Sequence, residues 1–147
     1  MRKNLFVTLL ILLSLTAKAE ISLNQQEQLA EKIAVASFGE GNYANTITKI
    51  RIMRSLDNVK GICGEDSITE VAKLSVAVQT SLAKDDFFVT PLEVIEAIGT
   101  LKRQAPDDID CMTVATNYAS TVVVAPTPAE ALASVNSLYK ILKQKTK

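Results

Sequence analysis

The segment Thr90-Pro91-Leu92-Glu93-Val94-Ile95-Glu96-Ala97-Ile98-Gly99-Thr100-Leu101 announces a helix three times in its first four residues. A threonine hydroxyl at the N-cap accepts from an unpaired backbone N–H, and a glutamate three residues on returns a carboxylate to the cap. Proline at the first helical position loses nothing, because its N–H would have had no helical partner. Behind these signals Leu92, Ile95, Ile98 and Leu101 recur at helical spacing. Such a stripe needs an apolar surface to pack against, and the flanking sequence offers more helices to supply it.

Thr127-Pro128-Ala129-Glu130 repeats the arrangement, with Leu132, Val135, Leu138 and Leu142 behind it. Ser67-Ile68-Thr69-Glu70 is a capping box without proline, followed by Val71, Leu74, Val78 and Leu82, and Ser22-Leu23-Asn24-Gln25 is the glutamine form. The spacing predicts a helix over residues 22–38 carrying Leu29, Ile33 and Ala34. A second, over 43–56, carries Ile47, Ile50, Met53 and Leu56, with Gly39 and Gly41 punctuating the gap. Between Pro106 and Pro126, Asp107 or Asp108 is placed to cap a helix carrying Met112, Ala115, Tyr118, Ala119 and Val122. The run Thr121 to Val124 has strand propensity, but a lone strand leaves its backbone unpaired, so it reads as a helix end. The expected fold is all-α, a compact five- or six-helix bundle with one disulfide, forming a single domain over residues 20–147.

Residues 1–19 read as an address. Arg2 and Lys3 precede the apolar stretch Leu5 to Leu15, and Ala17-Lys18-Ala19 places small residues at the positions a signal peptidase requires. Eleven residues rise only about 16 Å as a helix, too little for roughly 30 Å of hydrocarbon. Cleavage after Ala19 and a periplasmic or secreted location are expected, with no stable membrane anchor. Taking Arg2, Lys3 and Lys18 from the 16 basic residues leaves 13 against 16 acids, so the exported chain is mildly acidic. That balance argues against nucleic-acid binding, which relies on clustered positive charge.

Cys63 and Cys111 are an even pair in a chain bound for an oxidising compartment, where a bridge is favoured over two thiols. The sequence contains no histidine, which removes the Ser-His-Asp and Cys-His designs and the commonest general base near neutral pH. Carboxylates cluster at Asp85-Asp86 and at Asp107-Asp108-Asp110, but these clusters fall where helices begin or end and lack the pattern of a calcium loop. The expectation is a binding protein rather than an enzyme, with no cofactor, no metal site and no catalytic residues. A homodimer is compatible with the sequence.

The segment from Val89 to Ala119, VTPLEVIEAIGTLKRQAPDDIDCMTVATNYA, resembles the C-terminal half of the periplasmic immunity proteins that protect bacteria from type VI secretion amidase effectors. The shared features are a Thr-led helix, a proline after it, an acidic turn and a further apolar helix, over about thirty residues of the exported chain. The resemblance implies a protein partner, a peptidoglycan hydrolase whose active-site cleft is blocked. Blocking a cleft calls for a rigid protrusion, and the turn from Val59 to Asp66 joins small glycines to a covalent hold. Gly61, Ile62, Gly64 and Glu65 are its candidate partner-binding residues. Two other functional classes suit a small exported helical chain: an acid-stress chaperone, and an accessory component of an envelope secretion or pilus assembly.

Overall fold

Six helices form among the described residues, and in α4 and α6 the expected start signals set the boundaries. The computed structural model describes residues 25–41, 45–64 and 67–145. The helices are α1 (25–38), α2 (Thr46–Cys63), α3 (Ile68–Ala83), α4 (Pro91–Gln104), α5 (Cys111–Val122) and α6 (Pro128–Lys145). The expected leader at residues 1–19, the expected helix start at Ser22 and the candidate Glu65 lie outside the described residues. No strand occurs among the described residues, and no helix there is long and apolar enough to cross a membrane.

The Thr90 box closes as the sequence predicts. Thr90 Oγ1 accepts from the Glu93 N–H at 3.2 Å, and the Glu93 carboxylate accepts from the Thr90 N–H at 2.7 Å. Ser37 Oγ of α1 accepts from the Leu92 N–H at 3.1 Å, so a neighbouring helix satisfies another orphan donor of the same first turn. Thr127 likewise accepts from the Glu130 N–H. The Ser67 box does not form. Ser67 already has helical backbone angles and donates its hydroxyl to Gly64 O at 2.7 Å, while Glu70 accepts from Lys73. At α5 the cap is Asp110, accepting from Thr113 N at 2.7 Å, rather than Asp107 or Asp108, which lie in the preceding turn.

Helix α4 is the axle. It packs against α2, α3, α5 and α6, and buries Val94 and Ala97 as well as Leu92, Ile95, Ile98 and Leu101. A Cβ on Gly99 would stand 2.5 Å from Asn58 Nδ2 of α2, so any larger residue there would push the Asn58 side chain aside. Arg51 of α2 grips the Glu96 carboxylate of α4 with two hydrogen bonds of 2.8 and 2.7 Å. At the far end, Lys143 of α6 donates to the Arg103 carbonyl in the last turn of α4. The run Thr121–Val124 ends α5 at Val122 and passes into a turn closed by the Ala125 N–H on Thr121 O.

Helix α2 departs from its expected reading in length and in facing. It continues through Cys63 instead of ending near residue 56, and its buried residues are Ile52, Leu56 and Val59. Ile47 and Ile50 point outward, 78% and 52% exposed. The disulfide agrees with this choice of face. Ile52, Leu56, Val59 and Cys63 share one helical side, and that side turns inward to bring Cys63 to Cys111, with the Cα atoms 6.0 Å apart. Similar single-step shifts occur in α6, which buries Ala131, Val135 and Tyr139 while exposing Leu138, and in α5, which buries Val114 and exposes Met112.

Candidate functional site

The disulfide joins the last residue of α2 to the first residue of α5 and encloses α3 and α4 in one covalent loop. Beside it the start of α3 completes a surface crevice of about 210 Å³. Val71 and Leu74 of α3, Met112 of α5 and the two cysteines form its apolar part, and Ser67, Glu70 and Asp110 its polar edge.

Each wall is held by local chemistry. Gly64 has φ 96°, a conformation that a side chain disfavours, and it ends α2 directly after Cys63. Its carbonyl accepts from both the N–H and the hydroxyl of Ser67, which fixes where α3 begins. Across the crevice, the hydrogen bond from the Thr113 backbone, followed by one from the Thr113 hydroxyl, holds the Asp110 carboxyl below its ordinary value of 3.8. Asp110 is therefore a fixed negative charge near neutral pH. Met112, next in sequence to Cys111, is 51% exposed.

Of the candidate binding residues named from the sequence, Gly61, Ile62 and Gly64 do not line this crevice, and Glu65 lies outside the described residues. Gly61 and Ile62 belong to the last turn of α2 and Gly64 is its C-cap, so the expected loop from Val59 is helical as far as Cys63. The reason is continuity: no proline or competing cap interrupts the α2 backbone ladder before the left-handed Gly64. Gly61 is exposed and Ile62 half-buried, and neither lines the crevice. Cys63 and Cys111 do. Sequence reasoning passes over Glu70, Val71, Leu74 and Met112 as a set, because they come from two helices that only the disulfide identifies as neighbours. The signal is present in the placement of Cys111 beside a cap.

Chemically the arrangement suits docking. A methionine is a soft, adaptable contact surface, and an apolar patch with an acidic edge accepts an apolar side chain lying next to a cation. No group of three or more carboxylates and cysteines that could hold a metal occurs among the described residues. Comparison of the chain with protein families, curated proteins and solved structures gives no match.

Proposed function

We propose that the chain is an exported binding protein, working in the periplasm or outside the cell, whose disulfide-side crevice receives an apolar side chain flanked by a basic one on a protein partner. The observation that carries this reading is the half-exposed Met112, set beside Val71 and Leu74 at a point where two helix ends are covalently clamped. A clamp at the binding surface reduces the ordering cost of association. Inhibition of a peptidoglycan hydrolase is the sharper form of the proposal, supported by the resemblance of residues 89–119 to amidase immunity proteins.

The test is protection of cells that receive a cell-wall amidase in their periplasm. The native chain is expected to protect and to co-purify with the amidase. Met112→Glu, which puts a third carboxylate at an exposed position, is expected to abolish both while leaving thermal unfolding unchanged. Protection by the variant equal to that of the native chain would remove the crevice from the mechanism. If the native chain does not protect, but suppresses client aggregation at low pH, the chaperone class replaces the inhibitor class.

A further inference from the structure

The outer side of α2 carries a second pattern, independent of the crevice. Ile47, Ile50, Arg54, Asp57 and Gly61 recur at spacings of three and four residues, opposite the buried side of the helix, and all are exposed. Their order along the helix is apolar, apolar, cation, anion, glycine, with Gly64 one further step on. That order is self-complementary. When two such helices lie antiparallel, with the twofold axis level with Ser55 and Leu56, Arg54 of each faces Asp57 of the other. Ile50 then meets Gly61, and Ile47 meets Gly64. A symmetric interface demands this kind of match, since the same patch must serve as both halves.

Three features of the isolated chain agree with the pairing. Lys49 and Arg51 are already engaged, by Glu27 at 3.1 Å and by Glu96 at 2.7 Å, whereas Arg54 has no hydrogen bond or ion pair among the described residues. Asp57 accepts from Gln26 through one carboxylate oxygen, leaving the other for an incoming guanidinium. No atom of the described residues lies within 4 Å of where a Cβ would stand on Gly61 or Gly64, which leaves room above both for an isoleucine.

We propose that the chain forms a homodimer through antiparallel pairing of α2, fixed by reciprocal Arg54–Asp57 ion pairs and by seating Ile50 and Ile47 on the partner's glycines. A helix of 18 residues is about 27 Å long, so one such pair falls in the small-interface, reversible class. Cys63 lies on the other side of α2, and dimerisation leaves the crevice open.

Sedimentation equilibrium over a concentration series tests this, using the purified protein as its cells process it. The native protein is expected to self-associate reversibly. Arg54→Asp and Asp57→Arg are each expected to weaken association at least tenfold, since each homodimer would oppose like charges. Mixing the two variants in equal amounts is expected to restore dimers. In the mixed pair, the aspartates at positions 54 and 57 of one chain face the arginines at positions 57 and 54 of the other, so both contacts join opposite charges. That restoration also shows that both variants are folded. A native protein that stays monomeric throughout, or a mixture that stays monomeric, overturns the proposal.

Discussion

Helices α4 and α2 are both rich in branched apolar residues, and they use them differently. In α4 every apolar side chain is buried against four other helices, and only a polar strip of Glu93, Thr100 and Arg103 is exposed. In α2 one side, Ile52, Leu56 and Val59, enters the core, while Ile47 and Ile50 remain in solvent. Burial explains where the apolar residues of α4 fall. It leaves part of α2 unexplained, and an exposed apolar stripe rimmed by charge is the usual mark of a surface that meets something.

The largest effect on this contrast comes from the bond that orients α2. Replacing Cys63 and Cys111 together with alanine is expected to lower stability by roughly 4 kcal/mol, the chain-entropy value for a loop of this length. Urea unfolding reads the loss. A change below about 1 kcal/mol would mean that packing alone turns the inner side of α2 toward the core.

Next come paired truncations. Ile95→Ala in α4 removes a fully buried side chain and is expected to cost about 3 kcal/mol, whereas Ile50→Ala in α2 is expected to stay within about 0.5 kcal/mol. Equal losses at the two sites would erase the distinction between the helices.

A smaller effect tests the polar edge of the crevice. The folded Asp110 carboxyl is held below 3.8, so its contribution to stability is present above that pH. It is lost as pH falls through the depressed folded value, when the cap becomes protonated. Acid titration of unfolding should therefore show a shallower loss below about pH 4 for Asp110→Asn than for the native chain. Identical acid limbs would show that the Thr113 hydrogen bonds do not distinguish the ionised form.

The smallest effect lies at the end of α3. Asp86 occupies the left-handed region at φ 62°, where the Phe87 N–H reaches back to Leu82 O and the Asp86 N–H to Ala83 O. Asp86→Gly relieves the side-chain penalty of that closure and is expected to raise stability by up to about 1 kcal/mol. A decrease on thermal unfolding would contradict the assignment of strain there.

What the sequence makes legible follows from how local each cause is. The Thr90 and Thr127 starts, the α4 stripe and the cysteine pair can be read because cap chemistry acts within a few residues and two cysteines allow a single pairing. The inner side of α2 cannot. Its isoleucines lie on two sides of the helix, and packing on α4 together with the bridge from Cys63 to α5 decides between them. Ser67 departs from its expected role for a related reason: the turn at Gly64 offers its hydroxyl a carbonyl acceptor before the helix begins. The crevice is less legible still, since it is a meeting of residues from α3 and α5 around the bridge.

The state of the two cysteines in the cell is the most direct test of export and bridging. Envelope material trapped with a thiol-alkylating reagent, without prior reduction, should yield a chain lacking residues 1–19 and carrying no label on Cys63 or Cys111. A chain that keeps its first nineteen residues, or takes up label at both cysteines, would contradict them.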